Sequence, residues 1–413
     1  MNKLVSRVVP LVGCIAVFVC LTGCGKTPPP EFRMNMVAVA EAQLPADQQQ
    51  EIANILQAMF GTPDEPYPLP EARLDLRKLQ AAAGPVRSDE FGRETGLYRR
   101  HCAHCHGTTG DGQGPTALVL NPYPRDYRQG KFKFKSTERS AKPTRHDMEM
   151  ILRLGVQGTA MPSFDLLPAP QVDALVEYVK YLSIRGQVEI ALIQSMADLG
   201  EGEKLDTSRA MLVDQILKPI TESWSTASEN IIQPADPPSP ERTPEELAAS
   251  VDAGRTLFYG ATANCVKCHG PSALGDGQAT DQDDWNKQVL ELTKRVTEQE
   301  GSLAENSDMS ADERAALKRQ IAFNHAVLEN DSLPPRNIAP RNLRQGIYRG
   351  GRRPLDLYRR IYAGINGAPM PETKQTLKPD QIWNLVDYVM SLPYEAVSQP
   401  PAQRQLRVSQ ASN

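Results

Sequence analysis

The chain has 413 residues, enough for two or three domains, and its 40% hydrophobic and 23% charged content is that of an ordinary globular protein. A net charge of −4 gives no overall basic balance for nucleic acid, so that class of partner is set aside. The 34 prolines gather between candidate domains.

The chain opens as an export signal. Lys3 and Arg7 make a basic start, Val8 to Val19 is an almost unbroken apolar run, and Leu21-Thr22-Gly23-Cys24 follows. This ending resembles a bacterial lipobox, which implies cleavage after residue 23 and lipidation of Cys24. The alternative is an uncleaved signal anchor, although the run is shorter than the roughly 20 residues a membrane span needs. Both readings place the body outside the cytoplasm, facing the periplasm or the cell exterior, and tethered to a lipid membrane. Removing residues 1–23 removes Lys3 and Arg7, which takes the net charge from −4 to −6.

Residues 24–87 read as a proline-bearing spacer and a helical arm. Asp47 to Phe60 is expected to be helical, with Asp47 as cap and Ile52, Ile55, Leu56 and Met59 on one face. A second helix is expected from Glu71 to Ala83. The first repeat, 88–186, contains a helical turn at Leu97-Tyr98, a glycine-rich loop from Gly107, a short helix from His146 to Leu154, and an amphipathic closing helix from Pro170 to Ser183.

A connector, 187–243, holds two helical stretches (187–199 and 208–217) and a proline-rich run. The second repeat, 244–397, starts with the capping signal Thr243-Pro244-Glu245-Glu246. Residues 398–413 read as a disordered tail.

The repetition is explicit. Asp147 to Met161 aligns without a gap on Asp356 to Met370, and Pro124-Arg125 returns as Pro340-Arg341. Asp111-Gly112-Gln113 is matched with Asp276-Gly277-Gln278. The second copy carries an insertion, 281–332, with two helices, a Ser310/Glu313 capping box, and twelve acidic against six basic residues. It reads as a solvated helical hairpin, with a docking element as the alternative.

The chemistry lies in Cys102-Ala-His-Cys105-His106 and Cys265-Val-Lys-Cys268-His269. Two thiols at this spacing reach the two vinyl groups on one edge of a haem, and the following imidazole falls under the iron. A disulfide or half of a zinc site is the alternative. The other cysteines are Cys14, Cys20 and Cys24 of the leader region, and the other histidines are His101, His104, His146 and His325. A structural zinc site needs further ligands at set spacings. His101 and His104 are read as surface residues.

Met161 lies 55 residues after His106, and Met370 lies 101 after His269, the insertion supplying most of the excess. Both stand in Gly-x-x-Met-Pro before a closing helix. A thioether favours ferrous iron and raises the potential, so His106 with Met161 and His269 with Met370 are the expected iron ligands. The expected cofactors are two covalently bound haem c groups.

Taken together, Tyr98, the paired Cys-x-x-Cys-His motifs, the glycine loops, the Met-Pro turns and the tyrosine-bearing closing helices resemble class I cytochrome c in tandem. The resemblance covers about 250 residues of the 413. It implies an all-α fold of two cytochrome c-like domains, with the arm and the insertion lying outside it. It also implies that Arg125 and Arg341 pair with haem propionates.

The functional expectation is a membrane-tethered di-haem electron carrier working between respiratory redox proteins or within a membrane respiratory complex. It has no small-molecule substrate and is not itself an enzyme. A di-haem oxidoreductase or peroxidase with one open haem site is the alternative. Residues 333–378 hold ten Lys or Arg and form a basic rim that could steer an acidic partner.

Overall fold

The computed structural model describes residues 30–84, 96–200, 203–278 and 280–399; the expected export signal, Cys24 and most of the tail lie outside them. Among the described residues the structure is helical, with two isolated bridges and no strands, which bears out the all-α expectation. Among them, no helix is long and apolar enough to cross a membrane.

The arm has three helices, α1 (Met36–Ala42), α2 (Ala46–Phe60) and α3 (Leu76–Ala82). The sequence reading missed α1. In α2, Ile52, Leu56, Met59 and Phe60 are buried. Asp47 does not cap it. Pro45 holds the cap position, and Asp47 sits in the first turn, where its charge favours the positive end of the helix. The expected helix 71–83 is broken. A 3₁₀ turn, Pro70–Ala72, precedes α3, whose first amides are taken by the Asp75 carboxylate at 3.0 and 3.3 Å.

The first repeat contributes α4 (Leu97–His101), α5 (Ala103–His106), α6 (Arg145–Leu154) and α7 (Ala169–Ala197). A capping box of Thr144 and Asp147 starts α6. The two helices expected at 170–183 and 187–199 are one continuous helix. Its middle, Ser183 to Gly186, is buried. Gly186 has no side chain to hold off the Arg128 backbone packed against it. Arg185 and Glu189 form a buried ion pair at 2.9 Å, Glu189 accepts from the Asn35 amide at 2.6 Å, and Arg185 lies over Phe32 at 4.2 Å. These contacts tie the arm to the first repeat and are invisible to local periodicity.

The connector forms a π-helical stretch, Ala210–Leu217, that runs into α8 (Lys218–Ser225), a helix the sequence reading did not place.

The second repeat contributes α9 (Pro244–Tyr259), α10 (Val266–His269), the insertion helices α11 (Asp284–Glu305) and α12 (Ala311–Asn330), and then α13 (Pro354–Ala363) and α14 (Pro379–Ser391). The capping boxes at Thr243/Glu246 and Ser310/Glu313 are both present.

In each repeat the helix leading to the cysteines packs on the closing helix. Tyr98 meets Tyr178 at 4.8 Å between ring centroids, and Phe258 meets Tyr388 at 5.3 Å. Phe258 therefore fills the place of Tyr98 despite its different distance from the cysteines.

The insertion is a helical hairpin but not simply a solvated one. Val289, Leu292 and Val327 pack with Val37 and Ala40 of α1 in a cluster of their own. Arg295 donates to the Glu41 carbonyl at 2.8 Å. The residues from Phe32 onward thus form one compact unit in which a segment of the second repeat clasps the arm of the first.

Candidate haem sites

In the first repeat, Cys102, Cys105 and His106 line a cavity of about 280 Å³ together with Tyr127, Met148 and Met161. The structure therefore brings the expected attachment thiols, the proximal imidazole and the expected thioether to one cavity. Burial pushes the Cys102 thiol up to about 12 and the His106 imidazole down to about 4. The imidazole is thus neutral, as a metal ligand must be. The Tyr127 ring stacks on the His106 ring at 4.7 Å.

The orientation of the imidazole comes from the backbone. His106 Nδ1 lies 3.1 Å from the Arg125 carbonyl oxygen, and His269 Nδ1 lies 3.4 Å from that of Arg341. A hydrogen bond from Nδ1–H leaves the Nε2 lone pair free for iron. Arg125 and Arg341 thus act first through their carbonyl groups, a role the sequence reading did not give them.

The second site repeats several bonds of the first. The amides of Gly112 and Gly275 donate to the His106 and His269 carbonyls at 2.9 and 3.0 Å. Those of Tyr127 and Leu343 donate to the Gly110 and Ala273 carbonyls at 2.7 and 2.9 Å. Gly112 therefore corresponds to Gly275 and not to Gly277, and the loops align without a gap. The repeated Asp-Gly-Gln misled the sequence alignment. Asp276 nevertheless takes the place of Asp111, its carboxylate lying beside Gly270 as that of Asp111 lies beside Gly107.

The two methionine loops are also built alike. Val156 and Ile365 donate their amides to the Met161 and Met370 carbonyls, both at 3.1 Å. Thr159 and Ala368 close the turns on the Val156 and Ile365 carbonyls, also at 3.1 Å each. Gly158 and Gly367, matched in the two loops, both take a left-handed φ of +71°.

These glycines mark where the repeats meet. The Arg341 guanidinium of the second repeat lies against Gly158 of the first, and that of Arg125 approaches Gly367 of the second. A side chain at Gly158 would run into Arg341. The two methionine loops therefore share one seam, each met by the matched arginine of the other repeat.

The walls of the first cavity include groups from the second repeat. Trp285 and Arg349 line it beside Arg125 and Lys133. Arg125 stacks over Trp285 at 4.3 Å, and Lys133 pairs with the buried Asp283 at 2.6 Å. Burial lowers Lys133 to about 8 and raises Asp283 above the usual carboxylate range. The Arg349 Nε and the Asp283 Oδ1 are buried with no partner. A buried guanidinium nitrogen without a partner and a lysine whose charge is disfavoured by burial, both lining the cavity, fit an anionic group such as a haem propionate. Sequence reasoning missed Trp285, Lys133 and Arg349, because only the fold brings the insertion and the Arg349 segment of the second repeat to the cavity wall beside Lys133.

Several cations of the basic rim at 333–378 are engaged within the molecule, although a guanidinium bonded to a neutral carbonyl keeps its charge. Arg336 donates to the Leu120 and Leu118 carbonyls at 2.7 and 2.8 Å, and Lys374 pairs with Glu138 at 2.7 Å. His104 is exposed as expected, but both His101 and His104 line the cavity, and His101 packs edge-on to Phe164 at 5.9 Å. His325 is on an exposed helix face and meets Glu300 at 2.8 Å.

A helical fold with a doubled thiol–imidazole attachment motif, its imidazoles oriented for metal, defines a haem-binding electron-transfer protein. The chain belongs to the cytochrome c family, whose model matches residues 95–183 and 251–393, one segment in each repeat. The family implies covalently bound haem c. No curated protein matches the chain.

Among solved structures it is similar to a chain of the Kuenenia stuttgartiensis reducing HAO-like protein complex, with 22% identity, a TM-score of 0.43, and coverage of 72% of this chain and 93% of that one. The expectation that the chain is not an enzyme does not stand, because membership of the cytochrome c family leaves catalysis open. The physical reason is that fold and haem attachment are common to carriers and to redox enzymes. They do not by themselves exclude chemistry at an iron.

Proposed function

We propose that the chain is an exported di-haem cytochrome c, tethered to a membrane through Cys24, that passes electrons between respiratory redox partners. Each iron would be held by a histidine and a methionine, His106 with Met161 and His269 with Met370, and each haem attached through Cys102 and Cys105 or Cys265 and Cys268. The observation that carries the reading is the duplicated construction. The same imidazole-to-carbonyl bond and the same methionine hairpin recur in both repeats.

The bound haems supply a one-electron ferric–ferrous couple. The chain's own residues do the rest. The Arg125 and Arg341 carbonyls hold the imidazoles, and Arg125, Lys133 and Arg349 would meet the propionates of the first haem. Trp285 would help to shield that haem from water.

Spin state and carbon monoxide binding test the proposal. The ferric protein is expected to contain only low-spin iron with methionine-to-iron charge-transfer absorption, and the reduced protein to bind little carbon monoxide. High-spin iron amounting to half the haem, with carbon monoxide binding to match, would favour an oxidoreductase with one open site.

A further inference from the structure

The repeats differ in one loop besides the insertion. Between Gly130 and Asp147 the first has sixteen residues, whereas between Gly346 and Asp356 the second has nine. The longer loop reaches across the seam. Arg139 Nη1 donates to the Met370 carbonyl at 2.7 Å, and Nη2 donates to the Ala368 carbonyl at 3.1 Å. Next to it, Glu138 pairs with Lys374, four residues past Met370, at 2.7 Å. A planar guanidinium with two donors in fixed geometry bridges both sides of the methionine turn.

The loop that carries Arg139 is itself braced. Ile232 donates its amide to the Ser136 carbonyl at 2.9 Å, and Glu138 donates to the Asn230 carbonyl at 3.0 Å, pinning the loop to the connector. Ser136 bonds both oxygens of Asp147 at 3.0 Å, and Lys135 donates to the Ala141 carbonyl at 2.7 Å. The donor therefore stands on a stiff base, and a stiff base is what positioning requires.

We propose that Arg139 is a positioning residue for the axial loop of the other repeat. The first repeat holds the Met370 turn in place through the residues it has gained, and so sets how firmly the second iron keeps its thioether. The relation is mutual in kind, since the insertion gained by the second repeat closes the first repeat's cavity with Trp285. The inference rests on the reading of Met370 as an iron ligand.

The test uses the full haem-loaded chain in four forms: wild type, Met370→Ala, Arg139→Ala and Arg139→Lys. The readouts are the two midpoint potentials and the pH at which each ferric haem loses its methionine charge-transfer absorption. Met370→Ala is expected to abolish the absorption of one haem. In Arg139→Ala the same haem is expected to exchange its methionine about tenfold more readily, losing the band about one pH unit earlier, and its potential falls. The other haem is unchanged, and Arg139→Lys recovers part of the loss.

If Met370→Ala removes one band while Arg139→Ala leaves that haem's pH profile and potential at wild-type values, the clamp is refuted and the ligand reading stands. Equal shifts in both haems would mark a merely structural role and would also overturn it. A Met370→Ala protein that keeps both bands overturns the ligand reading and the clamp with it.

Discussion

Met161→Ala is expected to convert one haem of the pair from low-spin to high-spin iron, to remove half of the ferric charge-transfer absorption, and to open that iron to carbon monoxide. Met161 lines the same cavity as His106, and its loop is fixed by the Val156 bond to its own carbonyl at 3.1 Å. Alanine keeps the loop and deletes the sulfur. The potential of that haem should fall, because a thioether stabilises ferrous iron, and axial ligands move haem potentials over a range of about 0.8 V. The second haem should keep its potential to within a small electrostatic shift. Spectroelectrochemistry of the variant checks both halves of this expectation. Two unchanged potentials would sink the ligand assignment.

Cys102→Ala with Cys105→Ala is expected to cost more than a cofactor. The cavity these thiols line measures about 280 Å³. Left empty, its apolar walls, Phe132, Met148, Leu152 and Val176 among them, lose their packing partner. Folded proteins are stable by only about 5–15 kcal/mol. The variant should therefore yield little soluble protein, and what survives should carry half the haem absorbance per chain and unfold at a much lower temperature. Soluble yield, haem per chain and a thermal scan together make the check. Full yield with an unchanged unfolding midpoint would mean that the first repeat does not depend on its haem for a core.

Much of this arrangement was legible from residue order. The doubled cysteine motif, the matched Met-Pro turns and the closing helices were all readable because each is a local pattern with its own chemistry. Capping boxes at Thr243 and Ser310 were readable for the same reason: the two partners sit three residues apart.

What escaped was long-range. Arg185 and Gly186 look like a helix end, yet α7 continues because Phe32, Asn35 and Arg128 cover that turn. Trp285 reads as one side of a polar hairpin until the fold lays it against Arg125. Arg125 and Arg341 were singled out for their charge, whereas the histidines use their carbonyl oxygens, which every residue possesses. The contacts of the basic run at 333–378 were equally out of sight, since sequence gives charge but not the carbonyls and carboxylates that engage it, as Leu120 engages Arg336 and Glu138 engages Lys374.

Doubled cytochrome c architecture does not by itself decide between a carrier and an enzyme. The non-enzyme expectation rested on the ligand set inferred for both irons, while the family resemblance supplies attachment and fold. Ligand occupancy at each iron is therefore the property to measure, and the variants above are designed around it.

The most direct test of the central claim is the intact mass of the native, mature protein, paired with a haem count per chain. The account predicts a mass above that of the processed, lipidated polypeptide by two haem groups, with attachment at Cys102 and Cys105 and at Cys265 and Cys268 on peptide mapping. A mass carrying one haem or none, or free thiols at either cysteine pair, would contradict it.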